Sequence, residues 1–260
     1  RPAQSASAPL VTEDVLTLRK KSDYERGRVV VETRDQTVAV AGLQRGARAV
    51  EEMPGVEDGG EPLTFSAAAP ATVPSDGQPC RVELLGLTLP CKVELVAFPE
   101  RSAAAHLRAT ATLSGQTPIL AGPVRLLRGG EVVGQSRIGF VGRGEPFELG
   151  FGVDDGLRVR RAVEESRETT PVVGTQKIAR TIKLYVSNLS GERRKLLLSE
   201  RIPVSEIRDV EVTVGPSSGM RYDPKDGFAN FDLDLEGRAT RELSLSYRIE
   251  AAARVVLPAL

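Results

Sequence analysis

Alternation of apolar and polar residues at every second position is the dominant pattern of this 260-residue chain. Ile182, Leu184 and Val186 alternate with Thr181, Lys183, Tyr185 and Ser187. Further on, Leu243, Leu245, Tyr247 and Ile249 alternate with Glu242, Ser244, Ser246 and Arg248. Successive side chains of a strand point to opposite faces, so each run predicts an antiparallel strand with one buried and one solvated face. The same texture predicts strands over 63–69, 80–84, 87–97, 103–113, 124–128, 131–140, 146–153 and 157–163, and then over 176–188, 193–202, 209–214, 228–235 and 240–250. Between them lie "PSDGQP", "LSGQTP", "RGG", "GRGE", "DDG", "NLSGE", "PVSEI", "GPSSGMRYDPKDG" and "LEGRA", which supply Gly, Pro, Asp and Asn where a turn wants positive or fixed φ. Turn signals at ~8–12-residue spacing mark an all-β sandwich.

These elements predict two modules and an arm. A larger β-sandwich module is expected over 63–170 and an immunoglobulin-like β-sandwich module over 171–260, preceded by an irregular N-terminal arm over 1–62. Within the arm, Arg1 to Pro9 is linker-like, and Glu13 to Lys21 is compatible with two helical turns. "RVVVETRDQTVAVAGL" then offers two short β-like runs, and "MPGVEDGGEP" a turn-rich loop.

Composition narrows the partners. Lys plus Arg equals Asp plus Glu at 35 each, so no net field draws in nucleic acid or an anionic membrane. No apolar run approaches the ~18–20 residues of a membrane span. The start, "RPAQSASAPL", has neither an initiator Met nor an apolar signal core, so a fragment of a longer protein is expected.

Candidate chemistry is sparse. The one histidine, His106, sits in "SAAAHLRATATL" without the partners of a triad or a zinc site, and is expected to be a half-buried or surface strand residue. Cys80 and Cys91 fall directly opposite each other if "CRVELLGLTLPC" is a hairpin turning at Leu85 and Gly86. That register allows a disulfide, with two reduced core cysteines as the alternative of equal weight. The acids Asp223, Asp226, Asp232 and Asp234, with Asn230, and the pair Asp154 and Asp155 invite a calcium site. Their spacing departs from an EF-hand, and Asp226-Gly227 is a turn pair, so a turn and a solvated face are expected, with no metal and no cofactor. With no Trp, a sugar-cleaving groove lacks its aromatic platforms.

The stretch "LLLSERIPVSEIRDVEVTV" is the most pointed. Leu196, Leu198, Glu200 and Ile202 share one face of the strand and Leu197, Ser199 and Arg201 the other, so Glu200 stands among core-directed residues and needs a partner such as Arg208 or Arg201. Pro203 ends the ladder. A strand crossover locked by ion pairs is the expectation.

"VPSDGQPCRVELLGLTLPCKVELVAFPE", "LAGPVRLLRGGEVVGQSRIGFVGRGEPFELGFGVDDGLRVRR", "VSNLSGERRKLLLSERIPVSEIRDVEVTV" and "DPKDGFANFDLDLEGRATRELSLSYRIE" occur in that order. Together they resemble the C-terminal domain of mucoidy-inhibitor-A-like bacterial proteins, a domain of unknown function. The resemblance implies a β-sandwich protein of the cell surface preceded by a smaller β-domain and a coiled-coil segment, and implies no reaction.

The expected function is therefore a non-catalytic, envelope-associated binding or structural module that presents loops and edge strands to a protein partner, to itself, or to the upstream coiled-coil segment. A periplasmic or envelope location is expected over a cytoplasmic one. Glu200, Arg201, Pro203, Asp154 and Arg160 are its candidate interface or structural residues. The rival is a carboxylate- or metal-dependent hydrolase acting on surface polysaccharide.

Overall fold

The computed structural model describes residues 13–20, 29–38, 65, 67, 69–78, 80–170 and 174–257. Among them are strands and no helix: β1 (Glu13–Lys20), β2 (Val29–Val38), β3 (Cys91–Ala97), β4 (Ala104–Thr112), β5 (Gly122–Arg128), β6 (Glu131–Ile138), β7 (Pro146–Thr169), β8 (Gln176–Asn188), β9 (Arg194–Arg201), β10 (Val204–Ser205), β11 (Val210–Val214), β12 (Met220–Asp223), β13 (Phe228–Leu235), β14 (Thr240–Ala251) and β15 (Val255–Val256). Nine of them form one mixed sheet in the order β11-β14-β8-β7-β4-β3-β9-β13-β12. All its pairs are antiparallel except β3 with β9, which run parallel at Val96↔Leu197 and Ala97↔Leu198. A four-stranded sheet, β10-β1-β2-β15, and a two-stranded hairpin, β5-β6, complete the fold.

The long strand β7 joins the two flanks of the large sheet. Its first part pairs with β4, from Pro146↔Thr112 to Asp154↔Ala105. Its second part pairs with β8, from Leu157↔Asn188 to Thr169↔Gln176. The switch falls at "DDG", expected to be a turn between two strands and found instead as an irregularity inside one: Ala105 pairs with Asp154, but its neighbour Ala104 pairs with Arg158. The extra residues loop out and bend the strand, as bulges do. A Cβ on Gly156 would stand 2.9 Å from the Asp154 carboxylate oxygen, so a larger residue there would push that side chain aside. That oxygen, Oδ1, accepts a hydrogen bond from Gly156 N at 2.9 Å and holds the loop.

One apolar core lies between the flanks. Ile178, Ile182, Leu184 and Val186 of β8 and Leu243, Leu245, Tyr247 and Ile249 of β14 belong to the same buried cluster as Leu196 and Leu198 of β9 and Phe231, Leu233 and Leu235 of β13. β14 and β13 stand near opposite ends of the strand order, so a shared core requires the sheet to fold over on itself. The expected boundary at 170 lies in the turn between β7 and β8, so the hydrogen-bonded sheet and its core run across it.

Asn188 fastens the closed end. It is 2 % exposed, and its Nδ2 reaches the carbonyls of Glu192, Leu235 and Glu236 at 2.7, 3.2 and 2.9 Å. Its Oδ1 accepts from Ser190 N and Oγ. This ties the "NLSGE" turn to the end of β13. The turns meet closely enough that a Cβ on Gly237 would stand 2.2 Å from the Gly191 carbonyl oxygen, which excludes any larger residue.

Strands β8 and β13 coincide with the alternating runs that predict them. Three expectations are corrected. Of the run expected to make helical turns, residues 13–20 form a strand. Its backbone pairs with β2 and, in parallel, with β10, and Leu18 is completely buried in the core, so tertiary pairing overrides a weak local preference. The hairpin expected across 80–91 is not formed. Residues 80–90 are irregular, Leu84, Leu85 and Leu87 find no cover, and Cys91 opens β3 opposite Ala111. Cys80 and Cys91 are both exposed free thiols. Finally, β12 forms within "GPSSGMRYDPKDG", expected to be loop, by pairing Met220↔Phe231 through Asp223↔Phe228. The expected linker at 1–9 and the loop at 53–62 lie outside the described residues.

Leu18→Ala tests whether the N-terminal strand belongs to the core. Removing a fully buried leucine side chain is expected to lower stability by ~2–5 kcal/mol in denaturant titration. A change of a few tenths would place β1 outside the cooperative unit.

Candidate functional site

The inward face of the closed sheet is apolar over most of its length and becomes ionic at one end. Leu157, Val159 and Arg161 of β7 share one parity, and the first two are buried. On β9, Leu196, Leu198 and Glu200 share the inward parity, and Glu200 has no exposed surface. Arg161 reaches Glu200: its Nε donates to Oε1 at 2.7 Å, and its Nη2 stands 2.7 Å from the same oxygen as an ion pair. Oε2 is buried and has no hydrogen-bond partner. Burial therefore dominates and pushes the Glu200 carboxyl above its ordinary value, with Arg161 opposing.

A line of polar groups continues beside this pair. Tyr247 of β14, Arg180 of β8 and Glu165 of β7 are successive cross-strand neighbours. Arg180 donates through Nη1 to the Tyr247 hydroxyl at 3.2 Å and through Nε to Glu165 Oε2 at 2.6 Å. Arg167 donates to Glu165 Oε1 at 2.6 Å. Hydrogen bonding from Arg167 and then from Arg180 holds the Glu165 carboxyl below its usual value, while burial raises the Tyr247 phenol. Chemically this cluster clamps β7, β8, β9 and β14 together at the end of the core. Because Glu200 is sealed, it cannot meet a substrate in this conformation.

Around Glu200 the crossover is more than a turn. Arg201 points to the opposite face and forms a two-pronged bond to Glu100, at 2.6 and 2.8 Å. Ile202 and Pro203 are buried, and Ile202 N donates to Gly227 O at 2.8 Å. Pro203 ends β9, and the next two residues, β10, pair in parallel with Thr17 and Leu18 of β1. The Ser205 hydroxyl donates to Ile207 O at 3.1 Å and shapes the following bend. The "PVSEI" piece is thus the dock for the N-terminal hairpin.

Glu200, Arg201 and Pro203 lie together by sequence, whereas Asp154 and Arg160 serve elsewhere. Asp154 is buried in the β7 irregularity, with Arg194 Nη1 3.8 Å from its Oδ2, beside a recess of about 290 Å³. Arg160 projects outward over the Tyr185 ring, 6.0 Å from its centroid. The partner of Glu200 is neither Arg201 nor Arg208 but Arg161, which was not among the candidates. Its signal is a second charge at a core-facing parity, two residues beyond Val159. His106 is buried and its pKa is lowered by that burial. An open recess of about 670 Å³ crosses β3, β9 and β13, and two ion pairs, Lys92 with Glu94 and Arg193 with Asp234, line it. Among the described residues, no group of three or more His, Cys, Asp or Glu is placed to hold a metal ion, and no helix is long and apolar enough to cross a membrane.

An all-β domain whose most buried charge is a strand clamp defines the class. The chain belongs to the family described as domain of unknown function DUF4139, which matches residues 1–253. It is also similar to protein F37C4.5 of Caenorhabditis elegans, 24 % identical over 192 residues covering 72 % of this chain and 34 % of that protein. The chain thus spans about a third of the length of this curated relative.

Arg161→Met leaves a buried carboxylate without its cation and is expected to cost ~3–5 kcal/mol near neutral pH. Glu200→Gln keeps an acceptor for Arg161 and is expected to cost less than ~1.5 kcal/mol. A carboxyl whose folded pKa is raised loses stability as pH rises from its unfolded value through the folded one. The Arg161→Met deficit should therefore shrink as pH falls toward the ordinary carboxylate range. A deficit independent of pH would mean that the clamp works by shape and not by charge.

Proposed function

We propose that this domain is a non-catalytic binding or structural module that presents edge strands and loops to a protein partner, to a second copy or to an upstream coiled-coil segment of its own protein. The carrying observation is the pair of terminal strands, β11 and β12. Among the described residues no strand pairs with their outer edges, and their Val212, Val214, Met220 and Tyr222 are only partly buried against the core. An open edge offers a row of unpaired backbone donors and acceptors, the template for strand addition.

In this reading the folded-over sheet is a β-sandwich, immunoglobulin-like in its C-terminal part, with β7 as the strand shared by its two layers. The sealing of Glu200 favours a clamp over a reacting group. Envelope association draws its support from the resemblance to mucoidy-inhibitor-A-like proteins.

A photo-crosslinking side chain placed in the full-length protein in its own cell, at Thr213 of β11 or Arg221 of β12, is expected to give a discrete protein adduct. The same group at Glu168, exposed on β7, should give none. Equal adducts at all three sites, or none at either edge, would sink the edge-strand reading.

A further inference from the structure

The β5-β6 hairpin stands outside both larger sheets and carries surface that the fold does not use. Its register runs evenly from Gly122↔Ile138 to Leu126↔Gly134, and an irregularity at Val133 then brings Leu127 opposite Val132. One face turns toward the molecule: Leu126 is buried, and Val133 lies against Gly152 of β7. The other face collects Pro123, Arg125 and Leu127 from β5 and Val132, Gln135 and Arg137 from β6, all of them exposed. Leu127 is 50 % and Val132 58 % exposed, and at the open end of the hairpin Leu120 and Phe140 are 51 % and 56 % exposed. No acid lies on this outward face. Glu131, opposite Arg128 at the glycine tip, belongs to the other one.

The pattern selects among occupants. A second copy of the same face would bring arginines and no acid to meet Arg125 and Arg137, and like charges brought together are unfavourable. A bound peptide is held by walls and pockets, whereas side chains at least half exposed project and form none. A lipid headgroup layer accepts projecting apolar side chains a few ångströms deep, lets arginines snorkel between them, and supplies the anions that arginines need. We propose that the outward face of the β5-β6 hairpin docks onto an anionic lipid bilayer, with Leu127 and Val132 entering the headgroup layer and Arg125 and Arg137 meeting lipid phosphates. The proposal goes beyond the edge-strand reading and is independent of it, since β11 and β12 take no part.

Co-sedimentation of the chain with vesicles of phosphatidylcholine, with and without phosphatidylserine, tests it. Binding is expected only when phosphatidylserine is present, and is expected to weaken with salt. Arg125→Ala and Arg137→Ala should each lower partitioning roughly fivefold. Leu127→Ser combined with Val132→Ser should also lower it, with an unchanged circular dichroism spectrum showing that the fold is kept. Absence of wild-type binding to phosphatidylserine vesicles, or binding unmoved by these substitutions, overturns the proposal. So does capture of poly-glutamate without capture of vesicles, which would assign the face to an acidic polypeptide.

Discussion

A carboxylate with no exposed surface dictates much of this architecture. Glu200 is drawn inside because it occupies a core-facing position on β9 between Leu198 and Ile202, all three completely buried. Burying a charge unanswered is costly, so its neighbourhood has to provide a cation. Arg161 does so from β7, two places away in the sheet order from β3, the strand that pairs with β9. The ion pair can form only if the sheet folds over, and the folding-over in turn creates the apolar core that the strands of the large sheet share.

Closure rests on β7. A straight strand of 24 residues would keep its partners in one plane, but the irregularity at Asp154 to Gly156 lets β7 leave β4 and take up β8. Asp154 closes that loop onto the Gly156 amide, and Gly156 leaves room for its carboxylate. Beside the same bend, Asn188, paired with Leu157, satisfies the turn carbonyls that are buried there. Polar residues thus sit where the sheet bends or where its turns are sealed, and apolar ones fill what lies between. Such an arrangement specifies which strands meet as well as stabilising them, a role documented for buried polar groups in some proteins.

The N-terminal hairpin shows the same dependence in another form. β1 is held by backbone pairing to β2 and β10 and, among its described side chains, by Leu18 in the core. Pro203 makes this possible, because it ends β9 and frees the next residues to pair elsewhere. The "PVSEI" segment is therefore both the exit from one sheet and an edge of another.

Period-two alternation was enough to find β8, β11, β13 and β14, because one face of each is more exposed than the other, and this writes itself directly into residue order. It also put Glu200 on the core side. What alternation could not convey is which distant position answers a charge. Arg161 carries the matching parity, yet nothing local distinguishes it from Arg160, whose side chain lies over Tyr185 on the outer face. Nor do local preferences distinguish "DDG" as a bend inside a strand from "DDG" as a turn between strands, or 13–20 as strand from helix, since each outcome is settled by the pairing partners on either side. The sequence by itself determined an all-β chain and the burial face of its long strands, through a physical rule that acts between neighbours. Only the tertiary structure decided the strand order, the closure of the sheet and the Arg161–Glu200 pair, because these depend on contacts between residues far apart in the chain.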